Sequence, residues 1–154
     1  MRQLVEETLK EFGYYTPDSA NLILGTIAQE SAYGKYRRQL GNGPALGIAQ
    51  MEPTTFNDIV KNFLSYRLGI ITRIKKTCGV TELKAEDLET NDKLAICMCR
   101  VQYLRFKNPI PKDLIGYAVL WKLRYNTPLG AGKVEEFIKN YNKYVLTDIE
   151  IIIT

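Results

Sequence analysis

The sequence predicts a mainly α chain. Apolar residues recur at helical spacing along most of its length, and helix start and stop signals bracket those stretches. Strand-like patterning is confined to 34–52 and 149–154. At 154 residues the chain has the length of one domain. Chains of that length bury about two thirds of their unfolded surface, enough for a core without staples.

The elements follow in order. Residues 2–12 put Leu4, Val5, Leu9 and Phe12 on one side, and Gly13 stops them. Thr16-Pro17-Asp18 combines a capping hydroxyl, a first-turn proline and a first-turn acid. The helix it opens is expected to run to Tyr33, with Gly34 ending it. Residues 34–52 hold Gly34, Gly41, Gly43, Gly47 and Pro44, and read as a loop or a short hairpin. Pro53 opens a helical stretch over 53–77 with a break expected near Gly69, and 79–90 is a polar loop. A long helix covers 91–107, and Asn108-Pro109-Ile110-Pro111 breaks the chain. An apolar helix over 112–124 follows, then an amphipathic one over 131–145. The β-prone tail 149–154 is expected to pack on the domain or add to a partner's sheet edge.

Composition excludes several chemistries. The chain has no histidine, which removes Ser-His-Asp and Cys-His catalysis and His-ligated zinc. Its 21 basic and 17 acidic residues leave a net charge of +4. That suits a nucleic acid, an anionic wall polymer or plain solubility equally. The three cysteines, Cys78, Cys97 and Cys99, lack CxxC spacing. They are expected to be reduced core residues, with Cys97 and Cys99 on different helix faces. No cofactor or metal is expected. No apolar run approaches the ~20 residues of a membrane span, and residues after Met1 are charged where a secretory signal would be apolar.

Glu30 is the first candidate for chemistry. Ile23, Ile27 and Glu30 share a face at i, i+4 and i+7, so a carboxyl continues an apolar stripe. It also falls in the last helical turn, where the dipole disfavours negative charge. Burial and dipole both raise a carboxyl pKa, as a general acid requires. A solvated rim residue, or a partner of Lys or Arg, is the plainer alternative. Gly47-Ile48-Ala49-Gln50-Met51-Glu52-Pro53-Thr54 is the second string. Its glycine admits close approach to a ligand, and Gln50 offers the donors and acceptor that an acetamido group matches. Tyr125-Asn126, with Gly130-Ala131-Gly132 after it, is the third.

Together these segments resemble the lysozyme-like lytic transglycosylases, the superfamily of soluble lytic transglycosylases and goose-type lysozymes. Ala28-Gln29-Glu30-Ser31-Ala32-Tyr33-Gly34 is similar to the family's catalytic Glu-Ser motif. Gly47-Ile48-Ala49-Gln50-Met51-Glu52-Pro53-Thr54-Thr55 is similar to its Gly-Leu-Met-Gln segment with the following Pro-x-Thr. Asn91 to Leu104 resembles the helix that comes next, and Tyr117 to Val134 the Ala-Tyr-Asn-Ala-Gly segment. The likeness spans residues 17–144. Departures are Ile48-Ala49 for Leu-Met, Glu52 where Met is common, and Thr127-Pro128-Leu129 inserted before the glycines.

The resemblance implies a single lysozyme-like domain that cleaves the bond between N-acetylmuramic acid and N-acetylglucosamine in peptidoglycan. Glu30 would be the sole catalytic acid and base. Ser31 would hydrogen-bond the sugar, and Gln50 with the backbone of Gly47, Ile48 and Ala49 would hold the acetamido side. Tyr125 would orient Glu30, and Asn126 would touch sugar or fix the turn. Attack by the muramyl 6-hydroxyl leaves a 1,6-anhydro end; attack by water makes the protein a hydrolytic lysozyme. Water needs a second carboxylate, roughly 6.5–9.5 Å from the acid in inverting enzymes, and Glu52 and Asp58 are the candidates. The implied protein is a monomeric phage-type endolysin without cofactor. It would reach the wall through a holin-type membrane lesion or as part of a virion. A non-catalytic glycan-binding module of the same fold is the competing class. Nucleic-acid binding rests on charge alone and is not expected. Tyr33, Lys35, Tyr36, Arg37 and Arg38 form an aromatic-basic cluster that suits sugar rings or peptide-stem carboxylates ahead of nucleic acid, with a plain solvated face as the equal alternative, and Trp121 is expected in the core.

Overall fold

Helix caps set the frame. In the computed structural model, which describes residues 1–148, Gly13 closes α1 (Arg2–Phe12) in the left-handed region at φ 89°. The Thr16 hydroxyl accepts from the Ser19 amide at 3.0 Å and opens α2 (Pro17–Ser31), while Ser19 Oγ accepts from the Thr16 amide at 2.7 Å. Such reciprocal caps stabilise a helix by about 1 kcal/mol. Then come α3 (Pro53–Asn62), α4 (Leu68–Cys78), α5 (Asp92–Leu104), α6 (Leu114–Trp121) and α7 (Val134–Asn140). Asn91 and Asp113 cap α5 and α6 through the amides of Leu94 and Gly116, at 3.0 and 2.7 Å. The chain is mainly α, and the tail 149–154 lies outside the described residues.

α5 is the central element. Every residue from Leu94 through Tyr103 is buried, because α1, α2, α3 and α4 all pack against this helix. Two polar residues on it find partners: Tyr103 OH meets Thr26 Oγ1 at 2.8 Å, and Arg100 Nε donates to Tyr14 O at 3.1 Å. Cys78, Cys97 and Cys99 are free and buried, and Cys78 and Cys97 touch at 3.8 Å. Among the described residues, no helix is long and apolar enough to cross a membrane.

Several boundaries differ from the sequence expectation. α2 stops at Ser31, not Tyr33, because Ala32 and Tyr33 turn left-handed at φ 50° and 65°. The break in 53–77 falls at Phe63 to Arg67, not at Gly69: a 3₁₀ turn there sends Leu64 fully into the core. Gly69 sits in the first turn of α4, where unpaired amides make a helix tolerant. The stretch 34–52 holds a 3₁₀ turn and isolated bridges, Arg38 to Leu46 and Leu46 to Met51, in place of a hairpin. Lys122–Asn126 continues α6 as a π-helical turn, and Tyr141–Val145 does the same for α7. Such single π turns re-aim the side chains that follow an α-helix.

Candidate active site

The register of α2 delivers Glu30. Ile23 and Ile27 are fully buried on the stripe that Glu30 extends, and Glu30 itself is half-buried at the edge of a cleft of about 760 Å³. Burial raises its carboxyl pKa to about 7, and a hydrogen bond from the Trp121 indole pulls in the opposite direction. That bond is direct: Trp121 Nε1 donates to Glu30 Oε1 at 2.9 Å. Cys99, Tyr103 and Tyr125 also lie near this carboxyl, each with its pKa pushed up chiefly by burial, so each is uncharged at neutral pH.

Ser31 and the 47–49 backbone take roles other than those expected. Ser31 is fully buried; its hydroxyl donates to Ile48 O at 2.6 Å and accepts from the Gly34 amide at 2.8 Å. It therefore stitches the end of α2 to the next loop and does not face the cleft. Gly47 sits at φ 79°, where a Cβ would collide with the carbonyl oxygen of Leu88. Its own carbonyl accepts from the Gln50 amide and from Gln50 Nε2, at 3.1 and 2.9 Å. Ile48 O takes Ser31, and Ala49 O takes Tyr125 OH at 2.7 Å. All three carbonyls are thus spent within the protein, and the Ile48 and Ala49 side chains are core. Gln50, left-handed at φ 48°, lines the cleft with Met51 and Glu52 of this string, and its Oε1 is uncommitted among the described residues.

Tyr125 likewise differs from expectation. Its hydroxyl holds Ala49, not Glu30, and its ring stacks on Tyr103 with centroids 5.6 Å apart. The orienting bond comes instead from Trp121, which was expected only in the core; it is fully buried and also contacts the acid. Ninety-one residues separate the partners, and no spacing rule connects them. Asn126 lines the cleft, and its Oδ1 accepts from Lys122 Nζ at 2.7 Å.

The two extra carboxylates separate. Glu52 is exposed, lines the same cleft as Glu30 and precedes Pro53 at the start of α3. Asp58 is absent from the cleft lining; Arg105 and Asn62 each bond it at 2.6 Å and hold its carboxyl below the usual range. The aromatic-basic cluster divides as well. Arg37 pairs with Asp92 and Arg38 with Glu89, while Tyr33 donates to Asp148. Tyr36 remains to line the cleft.

Among the described residues, no lysine or arginine lines this cleft. Six carboxamides do: Gln29, Gln39, Gln50, Gln102, Asn126 and Asn140. The surface is rich in uncharged donors and acceptors around two carboxyls, the desolvated Glu30 and the exposed Glu52. No group of His, Cys, Asp and Glu side chains among the described residues could hold a metal ion. No protein-family model, curated protein or solved structure matches the chain.

Proposed function

We propose that the protein is a peptidoglycan lytic transglycosylase of lysozyme-like fold, with Glu30 as its single acid and base. The observation that carries this reading is a carboxyl with a pKa near 7, desolvated at the edge of a cleft rich in amide groups. A group so poised is partly protonated at neutral pH, so it can both donate a proton and take one back without a large penalty. Glu30 protonates the bridging oxygen between N-acetylmuramic acid and N-acetylglucosamine, and that bond breaks. The sugar's own acetamido oxygen stabilises the charge developing at the anomeric carbon. Glu30, now ionised, takes the proton of the muramyl 6-hydroxyl as that oxygen closes on the anomeric carbon. The acid returns to its starting state, and the product ends in 1,6-anhydromuramic acid.

The lack of Lys and Arg among the described residues that line the cleft supports an uncharged glycan over a polyanion such as nucleic acid, which binds through Lys and Arg. Carboxamides suit hydroxyl and acetamido groups, which need both donors and acceptors. On this reading the protein acts as a monomer on the bacterial cell wall, without cofactor. Glu52 favours a second reading. As a carboxylate on the same cleft it could activate water, which would make the protein a lysozyme.

Mass spectrometry of the products from purified peptidoglycan tests both, with Glu30→Gln as control. Anhydro ends that vanish in the variant are expected. Ordinary reducing ends would shift the assignment to hydrolysis, with Glu52 as base. Wild-type lysis by Glu30→Gln would sink both readings.

A further inference from the structure

The sequence contains one tryptophan, and its environment is built around a single polar atom. Trp121 is fully buried at the end of α6, so its indole N–H needs an acceptor. That acceptor is Glu30 Oε1. Phe137 of α7 lies against the indole, with ring centroids 5.4 Å apart. Behind Phe137 stands Gly25 of α2, where a Cβ would collide with the phenyl ring. Along another edge stands Gly132, where a Cβ would come within 2.6 Å of the indole Cη2. The indole thus cannot swing away unless α7 or the glycine turn moves. Glu30 Oε2 has no partner among the described residues, yet it is not among their enclosed, unpartnered atoms. It is therefore open to the cleft that Glu30 lines.

We propose that Trp121 is the positioning residue of Glu30. Held by Phe137, Gly25 and Gly132, its N–H occupies Oε1 and leaves the acidic proton on Oε2, the oxygen open to substrate. A neutral carboxyl accepts through its carbonyl oxygen and carries its proton on the other, so the indole selects which oxygen reacts. This inference rests on Glu30 being the acid of the cleft. Other groups near the carboxyl do not compete for it. Cys99, Tyr103 and Tyr125 are uncharged, Glu52 is exposed on the cleft, and Lys122 is committed to Asn126 Oδ1 and Gly130 O.

Because Trp121 is the sole tryptophan, its fluorescence reports this contact without any assay of activity. Excited where tyrosine does not absorb, the emission of the wild-type chain should change through one inflection near pH 7. In Glu30→Gln that inflection should vanish. Flat emission in the wild type, or an inflection retained in Glu30→Gln, overturns the proposal whether or not glycan is cleaved. Trp121→Phe keeps an aromatic ring and removes the N–H. It should lower kcat about 10- to 100-fold with KM little changed, the cost expected of a misplaced acid. It should also move the basic limb of the pH profile upward, since the lost bond favours the carboxylate. An unaltered kcat and pH profile in folded Trp121→Phe would overturn the positioning role. Loss of lysis in Glu30→Gln would still stand as the test of the function itself.

Discussion

Two segments that line the cleft are built by opposite means. The 47–51 wall is closed on itself: each carbonyl from Gly47 to Ala49 accepts a hydrogen bond from within the protein, and Leu46 and Met51 exchange backbone bonds at 3.0 and 3.1 Å. The wall that follows the π turn at 122–126 has far fewer ties. Gly130 donates to Thr127 O at 3.0 Å and accepts from Lys122 Nζ at 2.8 Å, and Leu129 projects 99% exposed. Glu30 lines the same cleft. The contrast teaches that rigidity here comes from backbone groups with no freedom left, not from the number of glycines, which both walls contain. The segment with unspent backbone groups is the freer of the two, while 47–51 is fixed by bonds to Ser31, Gln50 and Tyr125.

The largest way to break this contrast is Gly47→Ala. A side chain at φ 79° carries the left-handed penalty, and its Cβ meets a backbone carbonyl that cannot step aside. The sum is about 3 kcal/mol of lost stability, measurable as a fall in the denaturant midpoint at unchanged slope.

Glu30 gives the next effect, one that depends on pH. Its pKa is near 7 in the folded chain against an ordinary value of 4.5, so the native state holds a proton that the unfolded state has released. Stability is therefore fully present below about pH 4.5 and declines toward pH 7, by up to about 3 kcal/mol. Denaturation at about pH 5 and about pH 8 should show that decline in the wild type, and Glu30→Gln should flatten it. A wild-type chain as stable at the higher pH would mean that the carboxyl is not desolvated.

Tyr125→Phe cuts the strut between the walls, because its hydroxyl holds Ala49 O. The expected loss is about 1 kcal/mol, read from the same denaturation curves. Hydrogen exchange should rise along 47–51 more than elsewhere. The smallest effect belongs to Leu129→Ser. With so little buried, it should change stability by less than about 0.5 kcal/mol. A larger change would mean that the second wall is packed after all.

Much of this was legible in the residues. The caps at Gly13 and Thr16, the proline at the start of α3 and the Asn-Pro-Ile-Pro break each act through a local backbone preference, and local preferences survive translation into structure. Glu30 was legible because the phase of α2 is fixed by its buried isoleucines. Ser31 departs from the expectation for a physical reason. One residue on from Glu30, it sits about 100° around the helix, so it faces the core when Glu30 faces the cleft. Its hydroxyl then takes the nearest carbonyl, Ile48 O.

The sequence by itself determined the helical class, most helix starts and stops, the glycine at 47 and the acid at the end of α2. These depend on backbone torsions and on apolar periodicity, which act over a few residues. Only the tertiary structure decided that Trp121 holds Glu30, that Tyr125 holds Ala49, that Glu52 shares the cleft and that Asp58 is tied to Arg105. Those choices join groups 47 to 91 residues apart, or set them around one cleft. A buried donor takes whichever acceptor the packing brings to it, and a carboxyl's pKa follows how much water that packing removes.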